Sequence, residues 1–139
     1  MLTQKMTPSF ETARPVLYPP YTDRAAWQSL PCAARWQAAG QDALREAAAL
    51  PALPLSLWLQ FTQNGDRSHW EHAYFARRRT LCALTMAEAV TGDGSYLPAI
   101  TDVAWAICEE SAWQLPAHNS YLRDAPQLPT PNIERPIVY

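Results

Sequence analysis

The segment SHWEHAYFARRRTLCALTMAEAVTGDG, residues 68–94, indicates the fold most clearly. Residues 68–91 contain neither glycine nor proline, and apolar side chains return at intervals of three, four and seven, at Trp70, Tyr74, Leu81, Leu84 and Ala87. This spacing places them on one face of a helix. The pattern predicts an amphipathic helix from Ser68 to Thr91. Asp66 or Ser68 can cap its start, and Gly92 suits the left-handed residue that ends a helix.

A second helix is expected directly after the turn Gly92-Asp93-Gly94. Ser95 can cap this helix, and Pro98 is tolerated in its first turn. Its inward stripe is predicted to consist of Tyr96, Ile100, Val103, Ala104 and Ile107. We expect the helix to end near Trp113, before Pro116, and to pair with the preceding helix as an antiparallel hairpin.

The upstream part of the chain is divided by prolines, which number 13 against 4 glycines. Asp23 can cap a short helix that runs through Trp27. Pro31 suits the first turn of a second helix that reaches Leu50, in which Gly40 is the residue least compatible with a helix. After the break at residues 51–54, residues 55–61 fit a short helix better than a strand, although the strand remains an alternative.

These elements predict an all-α fold built from antiparallel helical hairpins. We divide the chain into an extended lead-in at residues 1–20, a helical region at 21–115 and a proline-rich segment at 116–139. The last segment shows no periodicity and ends in the apolar triplet 137–139, so we expect it to be a loop leading to a further helix that is missing from this sequence.

Composition excludes several classes of function. The chain has 139 residues, of which 48% are hydrophobic and 17% charged, with a net charge of −2, so no basic surface for nucleic acid or anionic membranes is expected. No apolar run approaches the roughly 20 residues that a membrane span needs, and no signal peptide is visible. We therefore expect a cytoplasmic protein.

The three cysteines, Cys32, Cys82 and Cys108, include no C-x-x-C pair. Neither a zinc site nor a redox motif is indicated, and we expect no metal and no cofactor. Each cysteine lies in a helical context, where a free thiol behaves as a small buried apolar group. Unpaired cysteines fit a reducing compartment.

Aromatic side chains at helical spacing are expected to pack in the core, a set formed by Trp27, Trp36, Trp58, Trp70, Tyr74 and Trp105. A helix points three consecutive side chains in different directions, so residues 77–79 are expected to be partly solvated and paired with Glu71 or Glu88. Contact of these arginines with an anionic sugar is the alternative. Arg78, one heptad from Glu71, is predicted to be the most buried of the three.

His69 and His72 lie three residues apart near the start of the long predicted helix. Two ligands do not make a structural zinc site, and no third ligand is nearby in the sequence. We expect both histidines at the surface.

Three blocks carry a resemblance to a known family. They are YPPYTDRAAW at residues 18–27; Asn64-Gly65-Asp66-Arg67 with Glu71, Tyr74-Phe75 and Arg77-Arg78; and WAICEESAWQLPAHN at residues 105–119. In this order they resemble the N-terminal region of heparinase II/III-like polysaccharide lyases, over about residues 18–137. The third block is long and rich in tryptophan, so it is the most specific of the three.

The resemblance implies the first hairpins of an incomplete α/α toroid, which in the family continues through further hairpins into a β-sandwich. It also implies β-elimination on acidic polysaccharides. In that reaction a base removes the proton beside a uronate carboxylate, an acid protonates the leaving oxygen, and polar or cationic groups neutralise the carboxylate. The family's catalytic His, Tyr and Asn lie further along the toroid, so no catalytic residue is assigned here and the chain alone is expected to be inactive.

Candidate substrate-binding residues surround the end of the second hairpin helix, where toroids place their substrate: Glu110, Trp113, His118 and Asn119. In this interpretation Trp113 stacks on a sugar ring, while His118 and Asn119 reach a carboxylate or hydroxyl group. A neutral histidine can also act as a base. Alternatively, Glu110 forms a cap or salt bridge, Trp113 is core, and the His-Asn pair hydrogen-bonds the loop backbone.

Two functions of different classes follow. The first is an N-terminal fragment of a polysaccharide lyase, whose partner is an acidic oligosaccharide or polysaccharide. The second is a non-catalytic helical interaction or carbohydrate-binding module that forms a homo-oligomer through an exposed toroid face. A hydrolase on the same scaffold is a third possibility, because a fold does not fix chemistry.

Overall fold

A computed structural model describes residues 18–118 of the chain, and this part contains five α-helices and no strand. The helices are α1 (Arg24–Ser29), α2 (Ala33–Ala47), α3 (Leu55–Asn64), α4 (Ser68–Thr91) and α5 (Leu97–Cys108), followed by a 3-10 turn at Pro116–His118. The all-α prediction is confirmed for these residues, and residues 55–61 are helical rather than extended. The predictions for residues 1–17 and 119–139, which include Asn119, lie outside the described residues.

The longest helix, α4, has the bounds predicted from the sequence. Asp66 accepts a hydrogen bond from the backbone N–H of Ser68 over 2.8 Å at its start. At its end Gly92 adopts the left-handed conformation, with φ of 70°, and its N–H donates to the carbonyl of Glu88 over 2.7 Å. The helix therefore ends where glycine removes the steric cost of positive φ.

Helix α2 lies antiparallel to α4. Gly40 lies against Ala87 so closely that no side chain fits between the two helices. Further along, the Thr80 hydroxyl donates to the Glu46 carboxylate over 2.9 Å. From the first of these contacts to the second, the residue number rises in α2 and falls in α4, so the two helices run antiparallel.

Helix α5 packs antiparallel on another side of α4, as the hairpin prediction requires. Near the turn, the Tyr96 backbone N–H donates to the Glu88 carboxylate over 3.2 Å. At the far end, the Arg77 guanidinium donates to the carbonyl of Ala106 over 3.2 Å. The long helix is thus the centre of the described fold, with α2 and α5 packed against it.

The apolar core is divided along α4 into three clusters. The central cluster holds Ala43, Leu84, Ala87, Tyr96 and Val103. A second cluster near the start of α4 is built from Trp58, Trp70, Tyr74, Ala112 and Leu115. A third cluster near its end contains Trp27, Ala33 and Val90. The inward stripe predicted for α5 is confirmed, because Val103 and Tyr96 are buried and Ile100 and Ile107 pack beside them.

The predicted end of α5 is wrong: the helix stops at Cys108, five residues before Trp113. The backbone N–H of Glu110 bonds the carbonyl of Ile107, which tightens the last turn into 3-10 geometry. The chain then leaves the helix so that Ala112 and Leu115 enter the second apolar cluster. Burial of these two side chains and of the Glu110 carboxylate overrides the local preference for helix.

Two expectations about burial are also corrected. Trp105 is 67% exposed, because the face of its helix that meets α4 is occupied by other side chains, whereas Trp36 is half-buried and packs against the third cluster, as expected. Cys82 and Cys108 are exposed free thiols, and Cys32 is half-buried. Within residues 18–118, no helix is both long and apolar enough to cross a membrane.

Candidate functional site

The segment 109–118, which follows α5, carries three of the four candidate residues. It has little regular structure before the 3-10 turn at its end, yet Ala112, Gln114, Leu115 and Pro116 are all buried. Trp113 and His118 are exposed, and Glu110 lies beneath the segment. The fourth candidate, Asn119, lies outside the described residues.

Glu110 forms a buried ion pair with two arginines of α4. Its side chain is 3% exposed, and its Oε2 accepts from the Arg78 guanidinium over 2.7 Å. Its Oε1 accepts from Arg78 over 3.2 Å and from Arg77 over 3.3 Å. These contacts agree with the salt-bridge alternative for Glu110, although the partners lie 32 and 33 residues away in sequence rather than nearby.

The predicted partners of the arginines are therefore wrong. Glu71 lies 3.4 Å from Arg67 instead, and Glu88 accepts hydrogen bonds from backbone N–H groups and from Tyr21. The side chain of Arg77 is 13% exposed and that of Arg78 26%, so Arg77 rather than Arg78 is the more buried. The early end of α5 explains both the different ion-pair partner and the greater burial of Arg77, because it brings Glu110 back over α4.

Each arginine also makes contacts that join other parts of the chain. Arg77 donates to the carbonyl of Pro51 over 2.8 and 2.9 Å, and to the carbonyl of Ala106. Arg78 lies over the ring of Tyr74, 3.3 Å from its centroid, and donates to that residue's carbonyl. The cluster thus joins the segment before α3, helix α4 and the segment after α5.

Trp113 is held in place although its ring is exposed. The side chain is 61% exposed, and its indole N–H donates to the carbonyl of Ile107 over 3.0 Å. Its own carbonyl accepts from the Tyr74 hydroxyl over 3.1 Å. An aromatic ring fixed by hydrogen bonds loses little conformational entropy when a ligand stacks on it.

His118 is the last residue that the structure describes. It is exposed, and its backbone N–H donates to the carbonyl of Leu115 over 2.9 Å in the 3-10 turn. This bond and the burial of Pro116 hold the backbone of the short segment that carries both the imidazole and the Trp113 ring. The roles assigned to His118 and Asn119 in substrate binding stay predictions.

A cleft of about 500 Å³ lies beside the ion pair. Its walls include Leu53, Leu55, Trp70, Arg77, Glu109 and Ser111. The sequence did not indicate this cleft, because its walls come from three segments that are distant in sequence and meet through the contacts of Arg77 and Arg78 and through the second apolar cluster. No spacing rule connects residue 53 with residue 111.

Trp70 contributes an unusual group to this region. The residue is 5% exposed, and its indole N–H is buried with no hydrogen-bond acceptor among residues 18–118. A buried donor without an acceptor costs about 1–3 kcal/mol. The neighbouring Trp58 ring lies 5.0 Å away, centroid to centroid, in an edge-to-face arrangement.

The two histidines near the start of α4 are exposed, as predicted. His69 contacts the Asp66 carboxylate, which also accepts from the Ser68 backbone. Loss of hydration raises the pKa of Asp66, but the hydrogen bonds from Ser68 and His69 lower it more, so the pKa lies below its ordinary value. Between Tyr18 and His118, no group of three or more His, Cys, Asp or Glu side chains is placed to hold a metal ion.

No protein-family model and no curated protein matches this sequence. The relationship to heparinase II/III-like lyases therefore stays a prediction from the three sequence blocks.

Proposed function

We propose that this chain supplies a saccharide-binding surface in an all-α protein related to the heparinase II/III-like lyases. The helices of residues 18–118 would form the first hairpins of an α/α toroid. Trp113 would stack on a sugar ring of a uronate-containing chain, with His118 and Asn119 contacting its polar groups. The lyase reaction itself would need groups beyond this segment, so the 139-residue chain alone would bind without eliminating.

The observation that supports this proposal best is the exposed, fixed ring of Trp113. A tryptophan indole presents a large apolar face, and burial of such rings dominates many binding energies. A buried ion pair and two hydrogen bonds hold the segment that carries the ring. A residue present only to fill the core would not be left 61% exposed.

The charge of the region limits what each residue can contribute. Arg77 and Arg78 are next to the proposed surface, but Glu110 neutralises part of their charge and carbonyl oxygens occupy several of their N–H groups. Glu110 is therefore an anchor in this proposal, not a group that touches the sugar. Neutralisation of a substrate carboxylate would fall to His118, Asn119 or groups of a longer protein.

Equilibrium binding of the 139-residue chain to heparin-, alginate- and pectin-type oligosaccharides tests the proposal. We expect saturable binding to at least one of them, measured by titration calorimetry. We also expect no absorbance to develop in the unsaturated-uronate band during incubation. Absence of binding to all three would contradict the proposal.

A second function is favoured by the outer face of α5. Leu97, Trp105 and Cys108 are exposed, and helical spacing places them within one side of the helix. We propose as the alternative that this face pairs with a second copy of the chain, so that the protein acts as a helical interaction module. Exposed apolar side chains on one helix face are typical of interaction surfaces.

A further inference from the structure

A core tyrosine of α4 bonds the backbone of the exposed tryptophan. Tyr74 is 5% exposed, and its hydroxyl donates to the carbonyl of Trp113 over 3.1 Å, across 39 positions of sequence. The indole N–H of Trp113 donates to the carbonyl of Ile107 over 3.0 Å. The indole bond therefore holds the ring at the end of α5, while the Tyr74 bond holds the backbone from which the ring projects.

The ring of Tyr74 is itself fixed by its neighbours. The Arg78 guanidinium lies 3.3 Å from the ring centroid, and the Phe75 ring meets it edge to face, with the centroids 5.3 Å apart. Arg78 is held in turn by Glu110, whose Oε2 accepts from it over 2.7 Å. Because tyrosine has few side-chain torsions, packing of its ring also fixes the position of its hydroxyl oxygen.

The charge of Arg78 strengthens the bond to Trp113. A cation over an aromatic face attracts the electron density of the ring, and a phenol that loses electron density becomes a better hydrogen-bond donor. Linked polar groups in a protein interior polarise one another in this way. The contacts thus run without a gap from the buried carboxylate, through the guanidinium and the phenol, to the backbone that carries the exposed indole.

We propose that Tyr74 is the positioning residue of the saccharide-binding surface. Its hydroxyl sets the orientation in which Trp113 meets a sugar ring, and Tyr74 itself touches no sugar. This inference rests on the proposed function and adds which core residue controls the affinity of that site. Without the hydroxyl, the backbone at Trp113 would sample more orientations, and ordering it again would reduce the affinity for the ligand.

The substitution Tyr74→Phe tests this role, because it removes the hydroxyl and keeps the packed ring. Thr80→Val is the matched control: Thr80 is also a buried residue of α4, and its hydroxyl donates to Glu46 over 2.9 Å. Each substitution removes one buried hydroxyl that donates a hydrogen bond, so a general loss of stability is common to both variants. A change at Trp113 is expected from the first variant alone.

The first measurement is nuclear magnetic resonance relaxation of the indole N–H groups in the 139-residue chain, without saccharide. We expect a lower heteronuclear Overhauser effect at Trp113 in Tyr74→Phe, since the ring gains motion on the picosecond to nanosecond timescale. The signal of Trp105 should not change, and Thr80→Val should leave both signals as in the wild type. An unchanged value at Trp113 in Tyr74→Phe would overturn the inference, because the bond to Ile107 would then suffice to hold the ring.

The second measurement is the affinity for the acidic oligosaccharide that the wild-type chain binds best, by titration calorimetry. We expect roughly three- to tenfold weaker binding in Tyr74→Phe, the effect of one hydrogen bond, and unchanged binding in Thr80→Val. A more mobile Trp113 with unchanged affinity, or an equal loss of affinity in both variants, would also overturn the inference. If the wild-type chain binds no saccharide, the proposed function fails and the binding role of Tyr74 fails with it, whereas the relaxation result still shows whether Tyr74 orders Trp113.

Discussion

At the scale of single residues, Glu110 has the largest predicted effect on stability. Its carboxylate is buried against two guanidinium groups, and removing one partner of a buried ion pair leaves the others uncompensated. We expect Glu110→Gln to lower the free energy of unfolding by about 3 kcal/mol, measured by urea denaturation. The neighbouring Glu109→Gln, at an exposed position, should change it by less than about 0.5 kcal/mol. Equal effects of the two substitutions would contradict the anchoring role.

The lowered pKa of Asp66 leads to a prediction about how stability depends on pH. Its pKa is lowered in the folded chain, so its contribution to stability is present above the ordinary pKa of a carboxyl group and is lost as the pH falls through the folded value. His69→Ala removes one of the hydrogen bonds that lower this pKa. We expect the Asp66 carboxyl to titrate at a higher pH in this variant, measured by nuclear magnetic resonance. The exposed His72→Ala is the control and should leave the titration unchanged.

Residue burial was the property least accessible from the sequence. Trp70, Trp105 and Trp113 all lie at helical spacing or in tryptophan-rich blocks, yet one is buried and two are exposed. Periodicity assigns a residue to a face of a helix but does not show whether another element covers that face. The exposure of Trp113 depends on the end of α5, which tertiary contacts set.

At the scale of elements, α4 was predicted fully because its signals are local. A run without glycine or proline, an apolar stripe and a glycine at the left-handed position all act within a few residues. The end of α5 was missed because the competing interaction is not local. Glu110 and Arg77 lie 33 residues apart, and no pattern along the chain joins them.

Helix α2 offers a test of close packing. Gly40 is a poor helix former, and propensity alone predicts that Gly40→Ala would stabilise the chain by about 1 kcal/mol. The added methyl group, however, would overlap Ala87 and lie 2.9 Å from the Tyr96 ring. We expect a loss of about 1–3 kcal/mol instead, seen as a lower thermal midpoint. A rise in the midpoint would show that α2 does not approach α4 so closely.

At the scale of the whole molecule, the alternative function requires two copies of the chain to pair through the outer face of α5. If they do, the mass measured by light scattering rises with concentration, and Trp105→Gln should reduce it to the monomer mass. Cys82→Ser, an exposed position on α4, is the control and should associate like the unsubstituted chain. A wild-type mass that is constant at the monomer value would remove the self-association proposal.

The all-α class and the hairpin followed from the sequence, whereas the cleft did not. Helices and turns result from local preferences, but the cleft requires Leu53, Arg77 and Ser111 to meet through contacts between three segments that are distant in sequence. The candidate residues Trp113 and His118 were found through the third sequence block. Only the structure shows that the segment that carries them is held by the Glu110 ion pair and by hydrogen bonds.

We propose that segment 109–118 holds the Trp113 ring in position to stack on a saccharide. The most direct test of this proposal is the affinity of Trp113→Ala for the acidic oligosaccharide that the wild-type chain binds best, measured by titration calorimetry beside Trp105→Ala. Both tryptophans are more than half exposed, so the pair controls for general loss of aromatic surface. We expect about tenfold weaker binding for Trp113→Ala and little change for Trp105→Ala. Unchanged affinity in Trp113→Ala, or an equal loss in both variants, would contradict it.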